Sequence, residues 1–386
     1  MSELYFGRGT KEMFDDYMDF INYVFGFNGT ERDFKKLLPK LYQYAYAPAV
    51  SSYVTTEDGQ LRAAIGAFDH DISVCGAVLK TRGIGNVAVH PYHRSKGYMR
   101  KLMEMAVDDM VKDGVVLSVL GGRRQRYRYF SYDRLGPRYS FSLNSENIRH
   151  TYGTDFTPVF RLERVDISDL DVLENIRALS ESKPLYAVRP IGDRYFETLI
   201  SWRQNVFAVY DGQAFAGYAV EKGGEVSEFL LTPEAEEKLP LFFRDLQRGI
   251  GGNLNIKVPL YLTKYVKALE YLAEGFDIES SKSYSVLNYK AVTDAFLRLK
   301  LTYTHLPDGR LVLDIDGRGG REKIAIEVRD GVPSVTDTEE KADLTLGHIE
   351  AMNMLFGVVC AEREELPDFA KLWFPLPLFI YYSDTV

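Results

Sequence analysis

Apolar residues recur at helical spacing in FDDYMDFINYVFGF, residues 14–27, where Phe14, Met18, Ile21 and Phe25 share one face and Gly26 ends the run. An amphipathic helix therefore opens the chain, and a second helical segment is expected at 31–44. The period then drops to two. SSYVTTEDGQLRAAIGAF holds two alternating runs joined by Asp58-Gly59, the signal of a tight hairpin, and ISVCGAVL and GNVAVH read as further strands. In SKGYMRKLMEMAVDDMV, Met99, Leu102, Met103, Ala106 and Met110 restore the helical repeat. VVLSVLGG reads as a buried strand and YSFSL closes the unit. Helices, meander, helix and strand in this order predict one α/β domain over residues 1–148.

The next segment repeats that order without repeating the residues. ISDLDVLENIRAL predicts a helix capped by Ser168, with Val172, Leu173, Ile176 and Leu179 turned inward. VFAVYDGQAFAGYAVEKGGEVSEFLL predicts three strands broken at Asp211-Gly212 and Gly223-Gly224, and a helix follows from Thr263 to Ala273, stopped by Gly275. Residues 149–286 thus read as a second copy of the first fold. From residue 287 the texture changes. LTYTHLPDGRLVLDI and REKIAIEVRDGVPSV alternate as antiparallel strands, and ADLTLGHIEAMNMLFG runs from a strand into a helix. The expected architecture is α/β and α+β in three domains, 1–148, 149–286 and 287–386.

A chain of 386 residues can bury two or three separate cores. Its net charge of −8 repels polyanions. That weighs against nucleic acid as the partner of RRQRYRYFSYDR, residues 123–134, although arginines interleaved with aromatics are what single-strand binders use. Cys75 and Cys360 are the only cysteines and lack metal-ligand spacing, so neither a disulfide framework nor a metal is expected. Acids interrupt the opening MSELYFGRGTKEMFDDYMDF, and no run approaches the roughly eighteen apolar residues of a membrane helix. A cytoplasmic protein with no membrane partner is the expectation.

The chemistry concentrates in GNVAVHPYHRSKGYMRKLM, residues 85–103. A strand ends in Val87-Ala88-Val89, a turn contains Pro91, and Arg94-Ser95-Lys96-Gly97 leads straight into an amphipathic helix. The first N–H groups of that helix lack intrahelical acceptors, Gly97 permits close approach of a bulky anion, and Arg94, Lys96 and Arg100 add positive charge. The arrangement suits a pyrophosphate. It resembles the acetyl-CoA motif of the GNAT acetyltransferases, Arg/Gln-x-x-Gly-x-Gly/Ala, with Met99 in place of the last small residue. The whole chain resembles the narrower Eis-like group, which joins an active GNAT domain, a degenerate second GNAT domain and a C-terminal domain similar to sterol carrier protein 2.

The resemblance implies acetyl-CoA as co-substrate and no metal. Val87, Ala88 and Val89 would pair with pantetheine, Arg94 and Ser95, Lys96, Gly97, Tyr98, Met99 and Arg100 would cradle the pyrophosphate, and Tyr127 and Arg128 would flank the coenzyme. Many GNAT enzymes take a glutamate base from the strand before the motif, and GIGNVAVH has none. The Eis-like solution is a tyrosine acid in a Tyr-x-x-Phe-x-Tyr pattern, here Tyr127, Phe130 and Tyr132, which makes Tyr132 the acid. Its base is the chain's terminal carboxylate, here that of Val386. The acceptor would be a small-molecule amine, for which Asp15, Asp16, Asp19, Asp69 and Asp71 are candidate pocket acids, and the assembly a homo-oligomer, a hexamer in the family. His90 and His93 lie beside the motif. The rival expectation is an inactive GNAT scaffold whose C-terminal domain, with its PDFAKLWFPLPLFIYY tail, binds a lipid.

Overall fold

The computed structural model describes residues 3–386. In the first unit β1 (Leu4–Arg8), β2 (Ser52–Glu57) and β3 (Gln60–Asp69) form an antiparallel meander, with α1 (Phe14–Gly26) and the single turn α2 (Phe34–Leu37) in the first connection. Asp58 (φ 52°) and Gly59 (φ 74°) make the expected hairpin turn. α1 buries Phe14, Tyr17, Met18, Phe20 and Ile21. Phe25, expected on that face, is 41% exposed and packs edge-on to Phe34. The helix expected at 31–44 shrinks to one turn, because Pro39 disfavours helical backbone at the residue before it.

ISVCGAVL folds back on itself instead of forming one strand. β4 (Ile72–Val74) and β5 (Ala77–Leu79) pair across Cys75 (φ 49°) and Gly76 (φ 84°), and join a separate three-stranded sheet with β10 (Leu185–Ala187). β6 (Thr81–Val89), α3 (Tyr98–Lys112) and β7 (Leu117–Leu120) then form a parallel β–α–β unit, followed by α4 (Arg124–Arg128) and β8 (Asp133–Leu143).

The middle segment opens with α5 (Ser145–Tyr152), β9 (Phe160–Arg164) and α6 (Leu170–Glu181). Ser168 does not cap α6; its hydroxyl donates to Asp166, and Asp169 stands at the N-cap. After β10 come α7 (Asp193–Ile200), the meander β11 (Asn205–Asp211), β12 (Ala214–Lys222) and β13 (Glu225–Leu231), and the helices α8 (Pro233–Glu236) and α9 (Leu239–Ile250). β14 (Leu254–Pro259), α10 (Thr263–Leu272) and β15 (Gly275–Val286) complete it.

Both segments share one sheet, in the order β1-β2-β3-β6-β7-β15-β8-β14-β13-β12-β11-β9. The order is the same from either end: four strands paired antiparallel, one parallel neighbour, then antiparallel strands at the centre. β15 lies against β7 and β8 against β14, so each half is completed by a strand from the other. Neither half could close its sheet alone.

The last unit has α11 (Tyr289–Leu301), then β16 (Gly309–Gly317), β17 (Gly320–Arg329), β18 (Val332–Asp337) and β19 (Leu344–Gly347) in the order β18-β17-β16-β19, and finally α12 (His348–Phe356) and α13 (Asp368–Trp373). Beyond it the chain crosses back over the central sheet. Leu376 N–H donates to Leu355 O (2.8 Å), the Leu378 carbonyl lies over Gly136 of β8, and the Tyr381 and Tyr261 hydroxyls meet at 2.7 Å. The aromatic tail is interior packing: Trp373, Leu376 and Leu378 are fully buried.

Candidate active site

β6 and β7 pair only from Thr81–Leu117 to Ile84–Leu120. Beyond that point they separate, while β6 stays on β3 as far as Val89. Residues 85–89 therefore have an edge with no strand partner, and an extended ligand could pair with the main chain of Val87, Ala88 and Val89 there. A bulge at Asn86 (φ 46°) marks where the strands part.

β6 delivers the chain into the Arg94–Gly97 loop. Ser95 (φ 65°) and Gly97 (φ 79°) are both left-handed, and α3 begins at Tyr98. The loop is exposed, Tyr98 is buried edge-on to Phe6, and Met99, half-buried, packs into the core instead of crowding the helix mouth. Lys96 Nζ lies 3.2 Å from Glu57, whose carboxylate also meets His93 Nδ1 at 3.0 Å. Arg100 pairs with Glu104 at 2.9 Å. Of the three cations expected to face an anion, Arg94 is the exposed one held by no ion pair among the described residues. His90 stacks in an aromatic group with Tyr23 and Tyr92.

The 123–134 stretch buries Tyr127, Tyr132 and Asp133 and leaves its arginines exposed. Arg124 and Arg128 both meet the buried Asp133, Arg128 at 3.4 Å, and Asn353 of the last unit donates to the same carboxylate at 3.3 Å. Burial would raise the Asp133 carboxyl, yet Arg124 and these hydrogen bonds hold it below its usual range. Tyr127 is buried beneath Gly122, so Tyr127 and Arg128, expected to flank the coenzyme, have internal partners. Tyr132, 1% exposed, lies at 2.7 Å from Ser118 Oγ, which donates to Arg82 O at 2.8 Å; burial raises the Tyr132 phenol and keeps it protonated.

His348 supports this turn. Its Nδ1 accepts from Arg318 N–H (3.0 Å), so Nε2 carries the proton and donates to the Ser131 carbonyl at 3.1 Å. Burial, with Arg318 nearby, lowers the imidazole from 6.5 to about 4. The unfolded chain binds the extra proton between those values, so stability is fully present above pH 6.5 and is lost as pH falls towards 4. Thermal melts at pH 7 and 4.5 should show the native protein losing on the order of 2–3 kcal/mol more than His348→Gln over that interval. Parallel losses would exclude His348 as the acid-sensitive group.

The far end of the site is built by the tail, which the sequence reading assigned only at Val386. A Cβ on Gly83 would stand 2.5 Å from Val386 Cγ2, and one on Gly85 3.0 Å from the Val386 carboxyl carbon. The alternating glycines of RGIGN are what let the chain end lie on β6; two glycines on one face of a buried strand were the available signal of that approach. Lys40 Nζ donates to the carbonyls of Ser383 (2.5 Å) and Thr385 (2.9 Å). Burial lowers this lysine to about 7, partly offset by Asp384. Arg189 grips Glu228 at 2.7 and 2.9 Å and Asp384 at 2.8 and 2.9 Å, all buried. Burial would raise Asp384, but Arg189 holds it low. A pocket of about 370 Å³ opens here, lined among others by Lys40, His70, Asp71, Arg194 and Val386. Asp69 and Asp71 line it as expected; Asp15, Asp16 and Asp19 lie exposed on α1, away from it.

Residues 7–139 match the acetyltransferase (GNAT) domain family. No curated protein matches the chain. A GCN5-related N-acetyltransferase from Kribbella flavida superposes with a TM-score of 0.67 at 16% identity, over 97% of this chain and 96% of that one. A probable N-acyltransferase from Enterococcus faecalis gives 0.67 at 17%, over 98% and 97%. Eis1 from Mycobacterium abscessus gives 0.63 at 13%, over 99% and 98%. At such identities the likeness is one of fold, and it extends through all three units. The chain carries a GNAT acetyltransferase domain and is an acetyltransferase. Domains of this kind use acetyl-CoA or another acyl-CoA. No helix among the described residues is long and apolar enough to cross a membrane.

Proposed function

We propose that the protein transfers acetyl from acetyl-CoA to a primary amine, with Tyr132 as general acid and the Val386 carboxylate as general base. The seat of Val386 carries this reading: its carboxyl carbon lies where a side chain at position 85 would begin, so a main-chain carboxylate takes the place of the strand glutamate that GIGNVAVH lacks. An ammonium ion must lose a proton before its nitrogen can attack, and a carboxylate within reach of it can take that proton. Val87, Ala88 and Val89 would hold the pantetheine arm along the open edge, and Arg94 with Ser95 to Arg100 would hold the pyrophosphate. Acetyl-CoA supplies the activated carbonyl. Main-chain N–H groups on the open edge can meet the negative charge that develops on the carbonyl oxygen. Tyr132, kept protonated by burial, can give its proton to the departing sulfur.

We read residues 149–286 as a degenerate second GNAT-like domain. Its strands mirror the first half, but TPEAEEKL follows β13 where HRSKG follows β6, and Glu234, Glu236 and Glu237 would repel a pyrophosphate. Residues 287–386 we read as the sterol-carrier-protein-like domain, serving to deliver the chain end. The burial of Trp373, Phe374, Phe379 and Tyr381 in its tail favours that role over a lipid cavity.

Calorimetric titration with acetyl-CoA tests the coenzyme half of this reading. Arg94→Ala/Gly97→Asp removes a cation, adds an anion and forces a side chain onto a backbone at φ 79°, so affinity should fall at least about tenfold. Equal affinity in both proteins would remove the cradle. Thiol release on adding a primary amine tests the transfer.

A further inference from the structure

The pocket at Val386 is lined by both acceptors and cations, and these narrow the acceptor class; the inference rests on the acyl-transfer reading above. Among the acceptors are Val386 and Asp71, whose Oδ1 accepts from Thr81 N–H at 3.1 Å. His70 is beside them, its ring within contact of the same glycine, Gly83, that Val386 touches. His70 Nδ1 faces the Phe68 carbonyl at 3.3 Å, an oxygen that can only accept, so Nδ1 carries the proton and Nε2 presents a lone pair. That nitrogen is buried and has no hydrogen-bond partner among the described residues. Three acceptors therefore line one pocket, where an ammonium group would be welcome.

Three cations also line the pocket, and they differ in what they have left to offer. Arg189 is consumed by Glu228 and Asp384, and Lys40 by two tail carbonyls. Arg194 donates from Nε to the Lys40 carbonyl at 2.9 Å and lies over the Tyr46 ring at 4.4 Å, while Tyr46 is itself fixed by its hydrogen bond to Glu197 at 2.7 Å. It enters no ion pair among the described residues. Its two terminal nitrogens are thus held in a fixed orientation at the pocket with their donors unspent, the geometry that takes a carboxylate two-pronged.

We propose that the acceptor is a compact amine carrying a carboxylate, an amino-acid-like zwitterion whose anionic end lies on Arg194 and whose nitrogen faces Val386 and His70. A polyamine or aminoglycoside would bring further ammonium groups against Arg194 and Lys40, at a Coulomb cost that grows in a pocket with little water. In the transfer, the N–C bond to acetyl forms as the thioester C–S bond breaks. The ammonium loses one proton to Val386 before attack and a second as the tetrahedral adduct collapses, Tyr132 gives one to the sulfur and is reprotonated, and one proton net leaves to solvent.

The test compares acetyl-CoA thiol release with γ-aminobutyrate, putrescine and butylamine, in the native protein and in Arg194→Ala and Arg194→Gln. The amino acid should be used on the order of tenfold to a hundredfold better than the diamine in kcat/KM. In both variants the ratio of amino acid to butylamine should fall by a similar factor, through KM more than kcat. Preference for putrescine, or an unchanged ratio in the variants, overturns the assignment and leaves the acetyltransferase reading standing. Thiol release with none of the three, in a protein that binds acetyl-CoA, overturns both.

Discussion

Neutralising the chain end at Val386, by converting its carboxylate to an amide through ligation of a synthetic tail, should lower kcat by about 10²- to 10⁴-fold with acetyl-CoA affinity kept. The amide is nearly isosteric, so the contacts of Val386 with Gly83 and Gly85, and the anchoring of Asp384 by Arg189, survive the change. What is lost is the proton acceptor. A two-residue extension should do the same, since it turns the free carboxylate into a peptide group. A sharper form of the test restores the base from the strand: with the last residue removed, Gly85→Glu places a side-chain carboxylate where the chain end lay and should recover part of the rate. Full activity in the amidated protein would exclude the terminal carboxylate as base. Activity lost on amidation without rescue by the glutamate would leave the base assignment standing but show that its position along β6 is critical.

What could be read in advance follows from how local each signal is. The α3 repeat and the Asp58-Gly59, Asp211-Gly212 and Gly223-Gly224 turns are properties of neighbouring residues, and they appear in the structure where the sequence places them. The Arg94–Gly97 loop before α3 is equally local. The exchange of β8 and β15 between the two halves was not legible, because a strand's alternation says which face is buried but not which partner it will meet. The same limit hid the hairpin inside ISVCGAVL, whose partner β10 lies more than a hundred residues away. Lys40, His70, Arg189 and Arg194 come together only because the tail returns from the last unit to β6. Each is unremarkable in its own segment. Gly83 and Gly85 were the exception: their spacing on a buried strand reports close packing by something, though not by what.

Replacing Tyr132 with phenylalanine should lower kcat by about 10²- to 10³-fold, again with acetyl-CoA affinity unchanged. The ring stays in the same core, and the variant removes only the hydroxyl that meets Ser118 at 2.7 Å. Ser118 keeps its bond to the Arg82 carbonyl, so the stability cost should be about 1 kcal/mol, too little to unfold the unit. A fall in rate with a nearly unchanged melting temperature would therefore report chemistry and not packing. The pH profile separates the acid from a merely structural phenol. Burial holds this hydroxyl protonated beyond the usual tyrosine range, so the native rate should not decline as pH rises through 8 to 10 on account of the acid. A substrate analogue whose leaving thiol is already acidic needs no proton as it departs, and the deficit of Tyr132→Phe should shrink with such a thioester. If the deficit is the same for acidic and ordinary leaving groups, Tyr132 serves the site by packing, and the proton for sulfur must come from another group or from solvent.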